Sequence, residues 1–223
     1  MDPRKGPGAP LTISEQVRER IRADIVSGEL RPGQRLLLSE LAESLGVSNI
    51  PVRDALRELE KDQLVQKRPL VGYEVSNYDG PRLIELYSVR EALECQIARL
   101  CAKRGDPEGV RELERLAEEA DRSIRASGVE KVSYDQVREF RFHRRLAQLA
   151  ACAELATLLD RVYTLLGTFI WPRARRVGVH VAIVRAIATG DPDQAERAMR
   201  DHVALSDDEI ESLRRFGSGD DKS

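Results

Sequence analysis

The chain has 223 residues, enough for one large domain or two small ones, and is 41% hydrophobic, 33% charged and only 4% aromatic. Leu, Ala, Arg and Glu dominate, a helix-forming mixture, and no apolar run approaches membrane-spanning length, so no membrane partner is expected. With a formal net charge of −2, any DNA-binding surface must come from local placement of charge.

Met1–Pro10 reads as a disordered polar tail without the apolar stretch of a signal peptide, and a cytoplasmic protein is expected. Cys95, Cys101 and Cys152 are odd in number and lack paired metal-type spacing; they read as small buried residues in a reducing compartment. Ser14 is expected to cap a helix through Ser27, with Val17, Ile21 and Ile25 inward and Gly28 as its stop. Arg31-Pro32-Gly33-Gln34 is a turn. A short helix over Ser39–Leu45 ends at Gly46. A second, capped by Ser48 or Asn49 with Pro51 in its first turn, runs to about Asp62. Leu64–Lys67 and Tyr73–Ser76 read as strands joined by the turn Arg68–Gly72. Helix, helix, turn, helix, hairpin is the layout of a winged helix-turn-helix, placed at residues 11–77.

Past Asn77 strand signals vanish. Amphipathic helices are expected at Pro81–Lys103, Pro107–Ala126, Val129–Ala150, Glu154–Ile170, Arg173–Thr189 and Pro192–Arg214, with Gly, Pro and Asp at the joints. The fold class is therefore mostly α. A winged helix-turn-helix precedes an all-α antiparallel bundle of six to seven helices over residues 78–214, and residues 215–223 form a polar tail.

All three histidines sit on apolar helix faces. From His143, steps of three, four and seven meet Glu139, Phe140, Leu146 and Ala150. His180 shares its face with Val177, Val184 and Ile187, and His202 with Ala195, Ala198, Met199 and Leu205. An imidazole facing a core needs partners for its nitrogens. Three of them with Glu139 make a plausible ligand set for a divalent d-block ion; the alternative is three separately hydrogen-bonded core histidines. Arg90 lies among Leu83, Leu86, Tyr87, Leu93 and Ile97. Its partner is either Glu94, one turn on, or a ligand carboxylate held by the planar guanidinium.

In a helix-turn-helix the second helix enters the major groove. Arg53 and Arg57 share a face there, Ser48 and Asn49 begin the helix, and Lys67 and Arg68 mark the wing tip. The alternative is a solvated face paired with Asp54, Glu58 and Asp62. Residues 11–77 hold ten Lys/Arg and eleven Asp/Glu, so motif order rather than charge favours DNA.

That order is specific. Ser27-Gly28-Glu29-Leu30-Arg31-Pro32-Gly33-Gln34-Arg35-Leu36, Glu40-Leu41-Ala42, Leu45-Gly46-Val47-Ser48 and Pro51-Val52-Arg53-Asp54-Ala55-Leu56-Arg57-Glu58-Leu59-Glu60 resemble the DNA-binding domain of the GntR family of bacterial transcription regulators. The resemblance implies DNA-facing roles for Arg35, Ser48, Asn49, Arg53, Arg57, Lys67 and Arg68. Where family members often carry arginine, this chain has Ser39 and Asn49, which implies a different operator or a lower affinity. Leu86–Glu94, Phe142-His143-Arg144-Arg145-Leu146, His180 and Met199-Arg200-Asp201-His202 are similar to the FCD type of effector domain in the FadR-type subfamily. The likeness implies a divalent metal, zinc or nickel as purified, on Glu139, His143, His180 and His202, with Asp135 as the fallback acid. It also implies that Arg90 faces the effector, a small carboxylate. The expected protein is a ligand-responsive regulator, a homodimeric repressor on a palindromic double-stranded operator. The competing readings are a metal-dependent enzyme and a regulator with structural histidines and no metal. Against the enzyme stand the missing HExxH-type arrangement and an otherwise idle winged helix.

Overall fold

The computed structural model describes residues 10–69, 72–127, 136–167 and 177–216. The chain divides into two compact units, the first reaching Asn77 and the second beginning at Tyr78.

The first unit starts with α1 (Ile13–Ser27). Its cap is Thr12, not the expected Ser14: the Thr12 hydroxyl accepts from the Glu15 amide and the Glu15 carboxylate reaches back, a reciprocal box that Ser14 has no acid in register to form. Gly28 ends the helix in the left-handed region, where only glycine carries no strain. Val17, Ile21 and Ile25, one turn apart, form the buried stripe. Next come a two-residue strand β1 (Arg35–Leu36), α2 (Leu38–Leu45), α3 (Asn49–Lys61), β2 (Val65–Arg68) and β3 (Gly72–Val75). The antiparallel sheet has the order β1-β3-β2, with Arg35 opposite Glu74 and Lys67 opposite Tyr73. Leu70 and Val71 of the expected turn lie outside the described residues. On α3, Val52, Ala55, Leu56 and Leu59 are buried against the rest of the unit. Ser48 holds the N-cap position, though its side chain makes no capping hydrogen bond.

The second unit is helical throughout its described residues: α4 (Gly80–Arg104), α5 (Pro107–Ser127), α6 (Gln136–Leu149), α7 (Ala153–Gly167), α8 (Val179–Ala188), α9 (Pro192–Val203) and α10 (Asp207–Arg215). The single helix expected over Pro192–Arg214 is two. Ala204 leaves the helical conformation and Ser206 starts α10 with a capping box to Glu209, so local side-chain bonds win over the continuous apolar period. The starts expected at Val129 and Arg173 fall outside the described residues. Ile97, Leu113, Phe142, Leu146, Ile183 and Met199 lie in one core that joins α4, α5, α6, α8 and α9. Helix α4 packs along α9, and Arg99 clamps the pair by donating to Asp193 (2.5 Å) and Glu196 (2.7 Å). Helix α10 docks on the start of α4 so closely that a Cβ on Gly80 would lie 1.5 Å from the Leu213 carbonyl oxygen.

Candidate metal centre and nucleic-acid interface

Three helices each deliver one histidine to the same point in the bundle core. His143 on α6 and His180 on α8 are buried, and His202 on α9 is half-buried. Each follows from its helix face: Leu146 lies beside His143, Val184 beside His180, and Met199 beside His202, all three apolar neighbours being buried. One ring nitrogen from each histidine lies within 4.8 Å of the others. The His143 and His202 rings stack with planes 5° apart, and their Nε2 atoms are 3.1 Å apart. The His180 ring stands edge-on to both, with centroids at 4.7 Å from His202 and 5.3 Å from His143. Phe142 covers the His180 ring at 4.6 Å. Burial, together with the neighbouring His143, His180 and Arg90, holds the His202 imidazole well below its usual range, against an opposing pull from Glu94. His202 is therefore neutral, the state a metal ligand requires. Convergent nitrogen donors in a water-poor core fit a divalent d-block ion. Glu139 lies on α6 one turn before His143, but its side chain is outside the described residues, as is Asp135 altogether.

A charged cluster adjoins the histidines. Arg90 is 5% exposed and Glu94 1%. Arg90 Nε donates to Glu94 Oε1 at 2.6 Å, the Tyr163 hydroxyl donates to the same oxygen at 2.7 Å, and Glu94 Oε2 pairs with His143 Nδ1. Burial alone would raise the Glu94 carboxyl, but the neighbouring His143 and Arg90 outweigh it and hold the group well below the carboxylate range. The Arg90 guanidinium also lies over the Tyr163 ring, 5.2 Å from its centroid. Of the two partners expected for Arg90, the structure places Glu94 on it.

Two contributors escape a reading of the sequence. Tyr163 belongs to the apolar face of α7 and carries no motif. Asp121, buried on α5, accepts from the Gly178 backbone N–H (2.9 Å). Gly178 is the left-handed cap of α8, so Asp121 fixes the start of the helix that presents His180. A buried acid facing a helix N-terminus is favourable, but 57 residues of separation hide the pairing.

In the first unit, Ser48, Asn49, Arg53 and Arg57 are exposed along α3, opposite its buried stripe. Ile50, at the same helix end, is 68% exposed. The nearest acid to Arg57 is Asp54 at 3.8 Å, too long for a firm bond. Lys67 and Arg68 are exposed on β2, where Arg68 donates to Glu74 at 2.7 Å; Arg35 is exposed on β1. The α3 residues form one surface of helix-turn-helix type, with the strand residues on the adjoining wing sheet.

Comparison with known proteins agrees with both halves. Residues 13–75 match the family described as bacterial regulatory proteins, gntR family, and residues 85–205 match the FCD domain. The chain belongs to the GntR family. It is 32% identical over 212 residues to the probable D-xylose utilization operon transcriptional repressor of Paenarthrobacter nicotinovorans, covering 86% of each protein. It is 26% identical to the HTH-type transcriptional repressor RspR of Escherichia coli, covering 92% of each. A GntR transcriptional regulator from Rhodococcus sp. RHA1 superposes with a TM-score of 0.68 at 25% identity, over 90% of this chain and 96% of that one. Escherichia coli McbR/YncC, at 22% identity and a TM-score of 0.69 over 87% and 97% of the chains, shares the fold. As a GntR-family member with an FCD effector domain, the chain is a DNA-binding transcriptional regulator, not an enzyme. Among the described residues no helix is long and apolar enough to cross a membrane.

Proposed function

We propose that this GntR-family chain is a homodimeric repressor that senses a small organic acid at a divalent metal held by His143, His180 and His202. Glu139 is the proposed fourth ligand and Asp135 its alternative. The observation that carries the reading is the convergence of three histidine nitrogens within 4.8 Å in a buried core. A zinc or nickel ion bound there supplies open coordination positions for oxygen donors. In this reading Arg90, whose Nε donates to Glu94, meets the acid's carboxylate with the rest of its planar guanidinium. The relative named for D-xylose utilization suggests a catabolic setting, and a buried cation beside a metal suits an acid better than a neutral sugar. Such an acid changes DNA affinity only through its differential affinity for two arrangements of the dimer.

Elemental analysis of the purified chain tests the metal, with about one equivalent expected and most of it lost in His143→Ala and His202→Ala. Full retention in both variants would sink the assignment. Arg90→Ala should abolish the response of operator binding to an organic-acid panel. An unchanged response at the same ligand concentration would make Arg90 a structural partner of Glu94 alone.

A further inference from the structure

We infer that Glu94 is a positioning residue that presents His143 to the metal through Nε2, a role that rests on the metal reading above. An imidazole has two nitrogens, and a neutral ring carries a proton on only one of them. Which one faces a metal is set by the partner of the other. His143 Nδ1 meets Glu94 Oε2, while His143 Nε2 points at His202 Nε2, 3.1 Å away in the cluster. The Glu94 oxygen that faces Nδ1 serves as an acceptor, which keeps the ring proton on Nδ1 and leaves the Nε2 lone pair toward the cluster.

Glu94 cannot turn away from this task. Its Oε1 is gripped by Arg90 Nε and the Tyr163 hydroxyl, at 2.6 and 2.7 Å, so the carboxylate plane and the direction of Oε2 are fixed. At 1% exposure water does not compete for it. Glu94 stands outside the convergent donor set, which among the described residues comprises the three histidines. It acts on the metal only through His143. Arg90 and Tyr163 in turn orient Glu94, so one carboxylate joins the guanidinium proposed to meet the effector to a histidine proposed to hold the metal.

Glu94→Gln tests this directly. The amide keeps the shape, and its oxygen still accepts from Arg90 and Tyr163. Its NH2 then faces Nδ1 and donates, which forces the ring proton onto Nε2, toward the cluster. Zinc titration of the full-length protein against a chromophoric chelator should show affinity about tenfold to a hundredfold weaker than in the parent. Leu113→Ala, a core cavity on α5, should lower stability without that loss of zinc affinity. Long-range 1H–15N spectra report the tautomer, and with only three histidines in the chain the signals can be assigned. The zinc-loaded parent should show His143 with Nδ1–H; metal-free Glu94→Gln should show Nε2–H. Equal zinc affinity in parent and Glu94→Gln overturns the role of Glu94 and leaves the metal reading intact. A parent that binds no zinc overturns both. If Glu94→Gln does not fold, the parent spectrum alone decides: Nε2–H on His143 in the zinc-loaded protein refutes the inference.

Discussion

Tyr163→Phe removes one oxygen from the bundle core and little else. The ring is 1% exposed, packs against His143 at 6.0 Å between centroids and carries the Arg90 guanidinium on its face. Phenylalanine preserves that packing, so no large cavity forms. What disappears is a 2.7 Å hydrogen bond to an ionised, fully buried carboxylate. Such bonds contribute about 1.5–3 kcal/mol, and the loss falls at the upper end because no water reaches Glu94 to replace the hydroxyl. Unfolding entropy is about 2.1 cal/mol/K per residue, which for the second unit of about 140 residues gives roughly 0.3 kcal/mol/K. The midpoint of that unit's thermal transition should fall by about 5–10 °C. Calorimetry in excess chelator and again in excess zinc separates this from metal linkage, since a ligand of the folded state raises the midpoint by itself. A shift under about 2 °C in chelator would refute the Tyr163–Glu94 bond as a stabilising contact, and with it the fixed carboxylate on which the His143 geometry depends.

Arg53→Ala should weaken specific operator binding by about 1–3 kcal/mol at fixed salt, measured by fluorescence anisotropy, while Lys67→Ala lowers affinity for all sequences alike and flattens the salt dependence; unchanged affinity in Arg53→Ala would place α3 outside the groove. Burial pushes the Cys95 thiol up to about 11 and that of Cys101 up to about 12. Because a raised value withholds the reactive thiolate until the pH passes it, at pH 8 only about a thousandth of Cys95, and less of Cys101, is ionised. Iodoacetamide should therefore modify the half-buried Cys152 first and reach the other two only on unfolding, as read by peptide mass; early labelling of Cys101 would contradict its burial. Gly80→Ala should loosen α10, because the new methyl meets a backbone carbonyl that cannot swing aside; hydrogen exchange should speed up across Asp207–Arg215, and unaltered protection there would refute the contact.

The helices were legible where periodicity and punctuation agreed. Gly28, Gly46 and Gly105 end α1, α2 and α4 in the left-handed conformation that glycine adopts without strain, and Val52, Leu56 and Leu59 are buried on α3 as its period assigns. The α9–α10 break was written in Ser206 and Glu209 but masked by Leu205 and Ile210, which prolong the apolar stripe. Strand β1 was not legible: two residues carry no period, and only pairing with β3 makes them a strand. The three histidines could be read as one group because helix-face arithmetic places each toward a core. Their partners could not. Glu94 is one turn from Arg90, and that pair is local, but its contacts with His143 and Tyr163 are tertiary, as is the bond from the Gly178 amide to Asp121.

The lock between Gly80 and α10 sets where this protein can be cut. The residues that match the FCD domain run from 85 to 205 and omit both sides of that contact. A fragment excised on those limits would lose Asp79, which caps α4, and would strip the fully buried Leu213 from the chain. The Gly80 amide donates to the Phe216 carbonyl, so the seam closes only when the chain continues that far. A soluble effector fragment for spectroscopy should begin at or before Asp79 and extend through Phe216, with any affinity tag placed beyond a spacer so that it does not pry the final turn from its seat.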